Sequence, residues 1–80
     1  MRVTELLGPV LKGINTHAKK EGAATVKTIR LKIGQFLDVK EAPLRKAFAA
    51  LVKGTISEGA KLELTYFLAY RIEVVSFDID

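Results

Sequence analysis

His17 is the sole imidazole in this sequence, and there is no cysteine. An imidazole can ligate a metal or pass a proton near neutral pH, but either task needs partners. Its neighbours are Ala18 and Lys19, and the i+4 position holds Glu21, not a second imidazole. His17 therefore reads as a surface or boundary helix residue. The lack of thiols excludes disulfides, thiolate zinc sites, iron–sulfur clusters and cysteine nucleophiles, and it fits a reducing compartment. Asp78 and Asp80 share one face of the last strand, with Glu73 nearby. Paired carboxylates can hold hard cations or do acid–base chemistry, but here a solvated edge that discourages strand aggregation is the plainer reading. Gly8-Pro9 and Gly34 stand alone, so no glycine run cradles a phosphate. Neither an enzyme nor a cofactor is expected.

The other chemistry on offer is electrostatic. Thirteen basic and nine acidic residues leave a net charge of +4. Thr28, Arg30 and Lys32 alternate with apolar residues and give one strand a basic outer face, and Arg45, Lys46 and Lys53 lie outward on a helix. Such residues can contact phosphates, which keeps a small basic nucleic-acid-binding module as an alternative. That strand face carries no aromatic to stack on a base, and the basic residues are spread along the chain, as on a solvated surface.

Eighty residues, 49% of them apolar, suit a single domain spanning 1–80 whose core must supply nearly all the stability. Tight packing or a homodimer is expected. The early apolar stretch is broken by Glu5, Gly8, Pro9 and Lys12, so it is not a signal peptide, and no run nears the ~20 apolar residues of a membrane span. The expected location is cytoplasmic.

Leu6, Leu7, Val10, Leu11, Ile14 and Ala18 recur at helical spacing, which predicts a helix over Thr4–Glu21. Thr4 is the candidate N-cap and Gly22 the C′ residue, unless Gly8-Pro9 delays the regular helix to Gly8. Period two from Thr25 to Ile33 predicts a strand with Ile29, Leu31 and Ile33 facing inward. Pro43 opens a second helix at its first position, with Leu44, Phe48, Leu51 and Val52 as its buried stripe. Lys61–Asp80 is strand-like, out of phase at Val74-Val75, and turns near Leu68-Ala69-Tyr70. The prediction is an α+β fold of order α-β-α-β-β, with two helices packed on one face of a three-stranded mixed sheet.

Several segments in order resemble the HypA family of nickel-incorporation proteins, which serve hydrogenase and urease maturation. Ile29-Arg30-Leu31-Lys32-Ile33-Gly34 is similar to the family's "VRLRIGEL" strand, and Val39 to Phe48 is similar to its "VEPEALRFAF" helix. Lys53 to Leu64 resembles "RGTLAEGAKLEI", and Glu21-Gly22-Ala23 with Val26 resembles "HGA…V". The resemblance implies the same two-helix, three-strand fold. It also implies partners: a nickel-handling GTPase, a maturation target, or a second copy of the chain.

Two departures bear on function. The family opens Met-His-Glu, with the histidine and terminal amine at the core of the nickel site, whereas this chain opens Met1-Arg2-Val3. A guanidinium stays protonated and cannot replace an imidazole ligand. The family's "IGE" here reads Ile33-Gly34-Gln35, which removes a carboxylate. The family also places a zinc domain with two CxxC pairs before its returning strand "LxVxSIEV", which Ile72 to Ile79 resembles; here Thr65 to Arg71 alone fills that interval. No family metal ligand carries over. The expectation is a HypA-like scaffold without metal ligands, acting through protein–protein contacts, with Arg2, Val3, Thr28, Arg30 and Lys32 as the candidate partner surface. A third alternative is weak nickel transfer through the N-terminal amine of Met1 and backbone nitrogens.

Overall fold

The switch from helical to alternating periodicity and back is realised in the fold. A computed structural model describes residues 2–80 and orders them as α1 (Val3–Lys20), β1 (Val26–Gly34), α2 (Glu41–Leu51), β2 (Lys61–Phe67) and β3 (Ile72–Ile79), with a 3-10 turn at Gln35–Leu37. The sheet order is β2-β1-β3, with β1 parallel to β2 and antiparallel to β3. A parallel neighbour needs a crossover, and α2 provides it. Ile29, Leu31 and Ile33 of the central strand are buried beneath Leu7, Leu11, Ile14 and Ala18 of α1 and Leu44, Phe48 and Val52 of α2. All belong to one core, and each fully buried aliphatic side chain contributes roughly 1.5–3 kcal/mol.

The helix boundaries correct two expectations. Thr4 is not the N-cap of α1, nor does the helix wait for Gly8. Arg2 occupies the cap without a side-chain bond, and its carbonyl accepts from the Glu5 and Leu6 amides. Pro9 lies in the second turn, so the Glu5 carbonyl lacks its usual i+4 donor, yet the buried stripe carries the helix through. In α2, Pro43 is the third residue, not the first. The third position still lies in the first turn, where an amide has no intrahelical partner to lose.

At the other end of α1, Gly22 takes φ +79°, as its C′ role predicts. Its amide donates to the Lys19 carbonyl and that of Ala23 to the Ala18 carbonyl, which is the paired closure of a Schellman motif. Gly22→Ala puts a Cβ into left-handed backbone and is expected to cost about 1 kcal/mol, or roughly 4–8 °C in Tm, in thermal melts followed by circular dichroism.

Strand β3 is continuous but bulged. Arg30 faces Ser76 and Leu31 faces Val74, which leaves Val75 as the extra residue where the sequence pattern slips. The chain reverses at Leu68–Arg71.

Candidate functional site

Because β1 alternates, Thr28, Arg30 and Lys32 project from the face that no helix covers. The register sets Glu63 of β2 on one side of Arg30, and Ser76 and Asp78 of β3 on the other. Arg30 uses the whole guanidinium. Its Nε donates to Glu63 at 3.1 Å, and Nη1 and Nη2 donate to the Asp78 carboxylate at 3.1 and 2.9 Å. Nη1 also reaches the Ser76 hydroxyl at 3.2 Å. One side chain thus ties three strands together. The hydrogen bond to Asp78 holds the guanidinium above its ordinary value, and the same bond holds the Asp78 carboxyl below its own.

Asp80 is held by Thr25, whose amide and hydroxyl donate to its carboxylate at 2.9 and 2.8 Å. The backbone bond, then the hydroxyl, lowers its pKa. Asp78 and Asp80 therefore anchor β3 while staying exposed, so the edge is solvated as expected and hydrogen-bonded as well. Both folded-state values are depressed, so their contribution is present above the ordinary carboxylate pKa and is lost as pH falls through the folded values. Melting temperature is expected to be flat from about pH 7 to 5 and to drop below about pH 4, more steeply than in Asp78→Asn, as melts across that range will read.

The open face is also less basic than its central strand suggests. Lys32 lies over the Phe67 ring at 5.4 Å, Arg71 contacts the same ring at 5.3 Å, and Arg71 also pairs with Glu73. With Arg30 held between two carboxylates, a phosphate would have to displace existing partners. Thr28, Arg30 and Lys32 share the open face as expected, but with these pairings nothing in the geometry favours nucleic acid.

Nor do the five candidate surface residues form one surface. The T-shaped contact of His17 with Phe77 (5.7 Å) and the groove shared by Pro9 and Val74 show α1 running antiparallel to β1. Arg2 and Val3 consequently sit in the helical layer toward the Gly34 end, with Arg2 exposed and Val3 packed against the core. Thr28, Arg30 and Lys32 occupy the opposite side of the sheet. His17 is exposed, with Glu21 3.8 Å away, as a surface residue. Among the described residues no three His, Cys, Asp or Glu side chains converge on a metal position, and the terminal amine of Met1 lies outside those residues.

The Leu68–Arg71 loop has a role that the sequence pattern does not announce. It folds back on the end of β1, where the Gly34 amide donates to the Arg71 carbonyl at 2.8 Å and the Phe36 amide to the Ala69 carbonyl at 3.1 Å. Phe36 and Tyr70 stack at 4.9 Å between centroids, and with Leu68 they remain more than half exposed. The available signal is an apolar triplet where turn chemistry calls for glycine, proline or asparagine.

This geometry defines a small α+β scaffold with a charge-stitched open sheet and an aromatic loop at one end. The family model described as "Hydrogenase/urease nickel incorporation, metallochaperone, hypA" matches residues 1–70. The hydrogenase maturation factor HypA of Cereibacter sphaeroides is 43% identical over 51 residues, covering 64% of this chain and 45% of the relative. That of Thermococcus kodakarensis is 36% identical over 58 residues, covering 72% and 42%. The solution structure of the nickel metallochaperone HypA from Helicobacter pylori superposes with a TM-score of 0.82, covering 99% of this chain and 97% of that one, at 11% identity. At that identity the likeness speaks for the fold. The chain belongs to the HypA family. It spans less than half the length of these two sequence relatives, and no helix among the described residues is long and apolar enough to cross a membrane.

Proposed function

We propose that this chain serves nickel incorporation into hydrogenase- or urease-type enzymes as a cytoplasmic scaffold recognised by protein partners, without holding nickel through its own side chains. The observation that carries the reading is Arg2, which stands as the N-cap of α1 where the family opening has histidine. A guanidinium has no lone pair to offer a metal, and as a cation it also opposes the helix dipole at that end. His17 has only Glu21 for company, on a different part of α1. The partners implied are a nickel-handling GTPase or the maturation target itself.

Isothermal titration with nickel at neutral pH is expected to show no tight stoichiometric binding. Tight one-to-one binding that survives N-terminal acetylation would sink the reading. Binding abolished by acetylation would instead support transfer through the terminal amine.

A further inference from the structure

The helical layer is not closed along its length. Helices α1 and α2 lie side by side on the sheet, and between them runs an open groove of about 350 Å³. Its apolar lining comes from buried Leu11 and half-buried Leu51. At Gly8, in the same lining, no atom lies within 4 Å of where a Cβ would stand. Lys12 and Lys19 line the groove from the α1 side. They stand seven positions apart on one flank of the helix, two turns or about 10.5 Å along its axis.

The polar lining offers mainly donors. Ser57 is fully buried and donates its hydroxyl to Asn15 Oδ1, so the Asn15 Nδ2 is left without a partner among the described residues. Neither Lys12 nor Lys19 is within ion-pair distance of a carboxylate among the described residues. No carboxylate lines the groove there. Acids on the neighbouring elements are engaged elsewhere: Glu21 pairs with His17, Glu41 holds Arg45, and Glu58 accepts from the Gly54 amide. Glu5 is exposed one turn before Gly8, outside the lining. A carboxylate only accepts, so ammonium and amide donors beside an apolar strip match an acidic amphipathic element laid into the groove.

We propose that the groove between α1 and α2 receives an amphipathic helix of a partner protein, with two acidic residues two turns apart beside its apolar stripe. The stripe lies on Leu11 and Leu51 and passes close to Gly8. The carboxylates meet Lys12 and Lys19, and Asn15 donates between them. A helix suits this spacing better than a strand, whose side chains on one face repeat at about 6.6 and 13 Å. A second copy is a poor occupant, because α1 and α2 carry a single carboxylate each, Glu5 and Glu41. Nucleic acid would leave the apolar lining unused. The inference deepens the protein-contact reading above and rests on it.

Single helices of about 20 residues, long enough to stay folded alone, can be displayed on phage with one face randomised and panned on the purified chain. The enriched helices are expected to carry Asp or Glu two turns apart along an apolar stripe, and to shift the amide resonances of Lys12, Asn15 and Leu51. Lys12→Glu and Lys19→Glu are each expected to weaken the best helix about tenfold and to reduce its salt dependence. Exchanging the facing carboxylate of the helix for lysine should restore binding to that variant and not to the parent. Lys46→Glu makes the same change in net charge outside the groove and should alter affinity by less than about twofold. All three lysines are exposed, so the fold survives each change. The proposal is overturned if no helix enriches, if the enriched set lacks the paired acids, or if Lys46→Glu weakens binding as much as the groove variants. A single-stranded oligonucleotide that shifts the same amides at lower concentration than any enriched helix would overturn it in favour of nucleic acid. Tight side-chain nickel binding would defeat the scaffold reading and leave these helix results untouched.

Discussion

Gly34→Ala is expected to lower the melting temperature by roughly 12–24 °C, the largest loss at any of the six glycines. A Cβ at Gly34 would collide with the Ala69 carbonyl oxygen, with the Ala69 carbonyl carbon 2.7 Å away and the Arg71 amide nitrogen at 2.8 Å. These are backbone atoms and cannot rotate aside. The Leu68–Arg71 loop must lift, breaking the Gly34–Arg71 and Phe36–Ala69 hydrogen bonds and opening the Phe36–Tyr70 stack. Overpacking of about 1–3 kcal/mol and about 0.5–1 kcal/mol for each of the two lost bonds sum to about 3 kcal/mol. Thermal melts give the size, and loss of the near-ultraviolet tyrosine signal gives the location. A variant melting within about 2 °C of the parent would mean that the loop does not press on β1.

The second large effect comes from Leu31, 1% exposed in the middle of the central strand. Leu31→Ala is expected to cost about 2–5 kcal/mol, a large part of the roughly 5–15 kcal/mol typical of a folded domain. Its urea midpoint should fall accordingly, with the slope unchanged. The neighbouring substitution, Arg30→Met, is the informative contrast. One step along the strand reverses the face, so Arg30 meets solvent and carboxylates instead of the core. Arg30→Met should cost far less than Leu31→Ala and should lose the parent's salt dependence. Equal costs for the two would show that the open face is covered by something.

Elements whose pattern is local are legible in the residues themselves. The stripe of Leu7, Leu11, Ile14 and Ala18, the alternation of Ile29, Leu31 and Ile33, and the left-handed Gly22 all follow from side chains within a few residues of each other. The slip at Val74-Val75 is legible as a broken phase, and the register identifies it as a bulge. Helix starts are less legible: α2 begins two residues before Pro43, and α1 begins well ahead of Gly8. Capping residues and prolines are weak local preferences there, and burial of the helical stripe overrides them.

The partner surface is the part least legible. A sequence displays Thr28, Arg30 and Lys32 as a run of basic character, because Glu63 and Asp78 lie 33 and 48 positions from Arg30. Their neutralising contact exists only once β1 is placed between β2 and β3. For the same reason Arg2 and Val3 part company with that strand, since the antiparallel course of α1 puts them in the other layer. What the residues establish alone is chemical: no thiol, one histidine, and an arginine at position 2. Chemistry of that kind belongs to individual side chains and needs no neighbours. Which carboxylates meet Arg30, where the returning loop meets Gly34, and where Phe36 and Tyr70 stack depend on pairings across the chain, and only the packed tertiary structure decides those.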